Sequence, residues 1–289
     1  MPRPLITCAY LCLISIAHIG FALSSGPQPD QTRVYKTIGE KDFELHIFYP
    51  KGHQPAEARA AIVFFHGGAW NSGDPNRFYP QCQYLAERGM VAISAKYRLR
   101  GSDGTSPAEC VTDAKSAIRW VRSHASALGV DPNRIAAGGG SAGGQMAAAT
   151  ATATGFNDPS DDLSIDCRPN ALVLFNPVID NGPGPNAFAH NRVVKYWKDF
   201  SPLHNISENT PPTIILVGSE DGASKPAACE AFQQRMQENG RRCDLLIYEG
   251  QTHGFYFKKP KYRPITKEVM AQFLLSIGFI ENRDNAMPQ

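Results

Sequence analysis

Residues 60–65, "AAIVFF", are apolar without alternation and run straight into "HGG". A strand buried on one face alternates apolar and polar residues; an unbroken apolar run belongs to a strand covered on both faces. That single feature demands helices above and below a sheet. The rest of the chain supplies them. Strand-like runs recur in "MVAISAKYRL", "NRIAAGGG", "ALVLFNPVI", "TIILVGSED" and "CDLLIYEG", preceded by two strands of a polar-turn pair, "TRVYKTIG" and "FELHIFYP". Between them lie helical stretches: "NRFYPQCQYLAERG" ending at Gly89, "SAGGQMAAATATA", "KPAACEAFQQRMQENG" and a closing amphipathic "ITKEVMAQFLLSIGFI". A longer one, residues 106–129, starts at an N-capping Ser106 and ends at a C-capping Gly129. It carries Val111, Ala114, Ile118 and Val121 on one face. Strands alternating with helices predict an α/β fold: a doubly wound, mostly parallel eight-stranded sheet with helices on both faces. Only residues 181–212, rich in Pro, Gly and Asn, interrupt this rhythm. They read as a small insertion over the sheet with one helix, "AHNRVVKYWKDF".

The N-terminus is different in kind. Arg3 precedes an almost wholly apolar Leu5–Ala17, and Ala22 and Ser24 are the small residues of a cleavage region. This predicts a secretory signal over residues 1–24 and a single catalytic domain over 25–289, exported to a secreted or periplasmic location. A retained membrane anchor is the alternative, weakened by His18 and Gly20 inside the apolar run. No stable membrane insertion is expected after cleavage. A net charge of +2 over 289 residues gives no case for nucleic acid as a partner. Beyond the signal remain Cys82, Cys110, Cys167, Cys229 and Cys243, allowing at most two disulfides, whose pairing spacing does not reveal. No Cys/His cluster points to a metal, and no cofactor is expected.

Residues 138–144, "GGGSAGG", hold five glycines in seven positions and could be an ordinary flexible loop. Their setting argues otherwise. Gly139-Gly140-Ser141-Ala142-Gly143 fits G-x-S-x-G between a strand and a helix, the strand-turn-helix that exposes a nucleophilic serine. The turn is so tight that side chains two positions away would collide. A serine needs a base, and His253, after the last strand, opens at the same sheet edge. The base needs a carboxylate to fix its tautomer. Asp221, one strand earlier, is the candidate; Glu220 beside it points the other way, and Asp180 is a more distant alternative. Backbone donors for an oxyanion are expected from Ala142 and from Gly67, Gly68 and Ala69 in "HGGAW", with His66 shaping the turn rather than moving protons.

Together "FFHGGAW", "AKYRL", "GGSAGG", "GSEDG" and "HGF" resemble the α/β-hydrolase fold serine esterases related to hormone-sensitive lipase and the small acetyl- and feruloyl-type carboxylesterases. The motifs come in family order and span nearly all of the chain beyond residue 24. The resemblance implies a Ser141–Asp221–His253 triad, the oxyanion region just named, and an Arg98–Asp113 ion pair behind the site. Two departures shift it toward the small, uncapped members: only about forty residues separate the cleavage region from His66, and Gly140 stands where an acidic residue is common. The implied activity is hydrolysis of short acyl esters, including acetyl or feruloyl groups on carbohydrates, with a small-molecule or carbohydrate ester as partner. Trp70, the 181–212 insertion and the "HGF" segment would then wall the acyl pocket. Two other readings fit the elbow. One is a prolyl-oligopeptidase-like serine peptidase; the other is a non-catalytic ligand-binding protein on a hydrolase scaffold. The sequence does not specify an oligomeric state.

Overall fold

In the computed structural model, the apolar runs pair into one eight-stranded sheet in the order β1-β2-β4-β3-β5-β6-β7-β8. The described residues are 26–281, so the expected signal, residues 1–24, lies outside them. The strands are β1 (Gln31–Ile38), β2 (Lys41–Phe48), β3 (Arg59–Phe65), β4 (Val91–Ala95), β5 (Val130–Gly140), β6 (Ala171–Phe175), β7 (Thr213–Gly218) and β8 (Cys243–Tyr248). β1 and β2 pair antiparallel, and β2 pairs antiparallel with β4; every other pairing is parallel.

The doubly covered sheet that β3 demanded is present. Ala61, Val63 and Phe65 join one core, with Val111 and Ile118 of the helix Pro107–Ser123, Met146 of Ala142–Thr152 and Phe232 of Pro226–Glu238. Ile62 and Phe64 face the other way. They pack with Cys82 and Leu85 of the helix Tyr79–Ala86 and with Met270 and Leu274 of Tyr262–Ser276. Each fully buried Leu, Phe or Met side chain stabilises this arrangement by about 1.5–3 kcal/mol.

Three local expectations are corrected. The stretch 106–129 breaks at His124 into two helices, Pro107–Ser123 and Ala125–Leu128, although Ser106 and Gly129 cap it as expected. "AHNRVVKYWKDF" is not one helix. It forms a 3-10 turn at His190–Arg192 and a single turn at Trp197–Phe200, and Ala189 sits at φ 54°. Aromatic anchoring overrides helical propensity there: Tyr196 packs on Phe156 and Phe200, and Trp197 on His190 and His204. Residues 153–170 are a second irregular segment that the sequence reading passed over. Lys115, Arg119 and Arg122, all from the helix Pro107–Ser123, hold it by donating to the carbonyls of Gly155, Ile165 and Arg168.

Cys82, Cys110, Cys167, Cys229 and Cys243 are all buried free thiols. Burial pushes Cys229 and Cys243 up to about 12, which leaves them as small apolar fillers. Among the described residues no helix is long and apolar enough to cross a membrane.

The Arg98–Asp113 pair forms and is larger than expected. Asp113 has no solvent exposure and accepts from Arg98 Nε (2.9 Å), Arg98 Nη2 (2.8 Å), the Arg98 backbone N–H (2.9 Å) and Lys36 Nζ (3.0 Å). Lys36 also bonds Asp158 at 2.6 Å, so one buried carboxylate ties β1, the segment after β4 and the 153–170 loop to a single helix. Removing one partner from a buried network strands the others. Asp113→Ala should therefore cost about 3–5 kcal/mol, read as a lower urea midpoint at unchanged m. A loss below about 1 kcal/mol would show that the two cations find water instead.

Candidate active site

The parallel register decides what meets at the carboxyl ends of the strands. Phe65 of β3 pairs with Gly139 of β5, Gly140 with Phe175 of β6, and Gly218 of β7 with Tyr248 of β8. The segments that follow each of these ends are therefore neighbours. β3 and β5 lead in opposite directions across the sheet, so the crevice opens at a topological switch point.

Ser141 leaves β5 at φ 57°, ψ −121°, a conformation few residues with a side chain adopt. Its N–H donates to Phe175 O (3.0 Å), and its carbonyl accepts from Gln145 (3.1 Å) and Val178 (3.3 Å). The flanking glycines are required for packing: a Cβ on Gly143 would lie 2.0 Å from Phe65 O, and one on Gly139 2.5 Å from the Gly143 backbone. Gly140 also has its reason. A side chain there would meet the Tyr256 hydroxyl at 2.0 Å, so Tyr256 excludes any larger residue at this position.

His253 Nε2 lies 2.8 Å from Ser141 Oγ, and its Nδ1 lies 2.8 and 2.9 Å from the two oxygens of Asp221. The structure thus brings together all three side chains of the expected triad. With Nδ1 protonated and donating to the carboxylate, Nε2 carries the lone pair that faces the serine hydroxyl. The Asp221 side chain is fully buried, His253 partly exposed. Burial opposes ionisation of Asp221. The His253 hydrogen bond and charge, with the N–H groups of Ser224 (2.7 Å) and Ala223 (2.9 Å), outweigh that and hold its carboxyl below the usual range. Glu220 is exposed, as its alternation predicts, and Asp180 accepts from Gly182 N–H (2.8 Å) beside His204 rather than joining the group.

Gly67 lies against the elbow, its Cβ direction 3.1 Å from the Ser141 Cβ. Gly67, Gly68 and Ala69 all line the cavity that contains Ser141 and His253, and Ala142 opens the helix behind the serine. Ala69 (φ 53°) and Trp70 (φ 56°) are both left-handed, turning this loop over the serine. Trp70 is not a wall of the cavity. It is 1% exposed, donates to Gln145 and packs on Phe188 and Phe200, anchoring the insertion to the core.

Asn176 was missed. It is fully buried at φ 44°, lines the cavity, and donates from Nδ2 to Asp221 Oδ2 at 2.6 Å. The sequence reading carried β6 through Ile179 and so placed Asp180 at the sheet edge. The strand stops at Phe175, and Asn176 is the edge residue. Pro177 was the available signal, since proline cannot donate to a ladder.

The chain belongs to the alpha/beta hydrolase fold family, whose model matches residues 62–257. Solved structures of an esterase, esterase 2 from Thermogutta terrifontis, are similar to it at 41% identity, in the apo form and with propionate bound. They cover 88% of this chain and 96% of their own, with TM-scores of 0.84 and 0.83. Among curated relatives, esterase LipC of Mycobacterium tuberculosis is 26% identical over 75% of this chain and 58% of its own length. The acetylxylan esterase of Xylanibacter ruminicola is 26% identical over 68% and 41%. The chain spans 43–58% of the length of the first three curated relatives it matches.

His66 is the site's structural histidine. Its Nδ1–H donates to Gly67 O (2.9 Å), Tyr97 stacks on its ring, and the Tyr97 hydroxyl donates to its carbonyl (2.7 Å). Burial pushes its pKa down from 6.5 to about 4. The unfolded chain therefore binds a proton that the folded chain refuses between those values. The stability tied to neutral His66 is present above pH 6.5 and lost as pH falls through 4, amounting to up to about 3 kcal/mol. His66→Gln should flatten the stability change between pH 6.5 and 4.5 in urea titrations; an equal slope in both proteins would remove His66 as its source.

Proposed function

We propose that the chain is an exported serine carboxylesterase acting on short-chain acyl esters, with acetyl or feruloyl groups on carbohydrate as substrates, through Ser141, His253 and Asp221. The observation that carries this reading is the continuous hydrogen-bonded line from Ser141 Oγ through both His253 nitrogens to Asp221. His253 Nε2 takes the serine proton as Oγ attacks the ester carbonyl. The oxyanion faces the N–H groups of Ala142 and the Gly67–Ala69 loop. The C–O bond breaks with the same proton passing from His253 to the leaving alcohol, and water then repeats the sequence on the acyl-enzyme to release the acid. Asn176 and the Ser224 and Ala223 N–H groups keep Asp221 charged and aimed. Export rests on the order of charge, apolar run and small residues within residues 1–24.

Short acyl groups are supported by the walls and by one neighbour. The cavity over Ser141 is about 650 Å³, with Phe188, Ala223, Tyr256 and Phe257 as its apolar surface. Propionate and butyrate have each been seen bound to the Thermogutta esterase. The acetylxylan esterase among the relatives supports a carbohydrate alcohol.

Ser141→Ala should lower kcat on p-nitrophenyl acetate by about 10⁶-fold while leaving the fold intact. Asp221→Asn should cost about 10⁴-fold and Glu220→Gln little. A Ser141→Ala enzyme keeping a tenth of its turnover would end the serine mechanism, and a reversed Asp221/Glu220 result would move the acid.

A chain-length series on p-nitrophenyl esters should peak from acetyl to butyryl. Each buried methylene contributes about 0.8 kcal/mol only while a wall excludes water from it. A peak at octanoyl or beyond would mean that the insertion encloses a deep apolar tunnel.

A further inference from the structure

The cavity over Ser141 carries charge of one sign only. Arg77, Arg192 and Lys258 line it, and no carboxylate does. The three come from separate segments: the 3-10 turn Pro75–Phe78, the 181–212 insertion and the short helix Phe255–Lys258. All three are exposed at the rim. Among the described residues none of them is in an ion pair.

Each is also held in place. Arg77 lies over the Phe257 ring, 4.8 Å from its centroid. Arg192 Nη1 donates to Ala69 O at 2.9 Å, and Lys258 Nζ donates to His253 O at 3.0 Å. Among the described residues the Arg77 guanidinium makes no hydrogen bond, and the other two side chains retain free donors. The local carboxylates are otherwise engaged: Asp221 serves His253 and Asn176, while Asp74 caps Asn76 N–H and lines a different cavity with His66 and Tyr97. Three cations around a partly enclosed opening raise the local concentration of anions and attract a negative group on a bound ester.

We propose that the natural substrate is an ester whose alcohol portion carries a carboxylate, such as an acylated acidic sugar. This rests on the ester-hydrolase reading above and specifies its substrate. The charge is assigned to the alcohol half because Arg77, Arg192 and Lys258 are exposed whereas Phe188, Tyr256 and Phe257 are buried or half-buried, so the cations can reach the part of an ester that extends toward solvent.

The test compares matched esters on the whole protein: 4-acetoxybenzoate against its neutral methyl ester, and mono-4-nitrophenyl adipate against 4-nitrophenyl hexanoate. We expect kcat/KM for 4-acetoxybenzoate to exceed that of the methyl ester by roughly tenfold at low ionic strength, shrinking toward about twofold in 0.5 M NaCl as the charges are screened. Arg77→Gln should cut that ratio several-fold, and Arg77→Glu should bring it to one or below. A merely structural loss would lower both esters together and leave the ratio unmoved, and that result would overturn the role of Arg77. Lys258→Gln gives a second, independent reading of the same ratio. No turnover of any ester sinks the hydrolase reading and this inference with it. Turnover that favours the methyl ester sinks this inference alone. A charge preference confined to the adipate pair would put the anion on the acyl side and overturn the assignment to the alcohol.

Discussion

Ser141 is held in a backbone conformation worth about 1–3 kcal/mol of strain, and the surrounding architecture follows from keeping it there. At φ 57°, ψ −121° the residue turns β5 directly into the helix Ala142–Thr152 without an intervening loop. The turn survives because its neighbours over-determine it. Phe175 O receives the Ser141 N–H, Gln145 and Val178 bind its carbonyl, and the backbone at Gly143 comes so near Phe65 that no side chain fits between. Those contacts come from β3, β6 and the helix itself. The strain is thus balanced by the sheet's own pairing, and the serine oxygen is presented on a rigid support rather than on a mobile loop.

The same register explains why one end of the sheet accumulates chemistry. Parallel strands align their carboxyl ends, so the segments after β3, β5, β6, β7 and β8 converge on one crevice with the Gly67–Ala69 loop, Ser141, Asn176, Asp221 and His253 in turn. Two histidines near that crevice sit in opposite environments. His66 is buried beneath the Gly67–Ala69 loop, kept neutral by desolvation, and donates to the Gly67 carbonyl. His253 is partly exposed and lies between a buried carboxylate and the serine hydroxyl.

Much of this was legible in the sequence, because each feature is announced by a few residues at a strand end. The eight strands, the Ser106 and Gly129 caps, the elbow and the three convergent side chains all come from such local signals. What was not legible depends on partners distant in the chain. Val178 and Ile179 prolong the apolar run of β6 because they are buried among the elements under the insertion, not because they lie in the sheet, and so the strand end was misplaced and Asn176 overlooked. The sequence 189–200 has helical composition, yet Tyr196, Trp197 and Phe200 find aromatic partners that a continuous helix would forgo. Trp70 looked like a pocket wall for its size and place; its indole N–H finds Gln145, and that satisfied partner draws it inward.

Floor and rim of the crevice therefore differ in how tightly the fold specifies them. The floor is made of backbone: glycines with no room for a side chain, a serine pinned by ladder hydrogen bonds, carbonyls and N–H groups at fixed spacing. A change there disturbs β3, β5 and β6 at once. The rim is made of side chains on connecting segments. Arg77, Phe188, Arg192 and Lys258 each belong to a stretch that the sheet does not constrain, and each is oriented by one or two local contacts. Substituting a rim residue alters charge or shape over the cavity while the strained turn and its hydrogen bonds stay intact. The strained floor is consequently tied to the fold, whereas the charge and shape of the rim rest on a handful of side chains that the fold can exchange at little cost in stability.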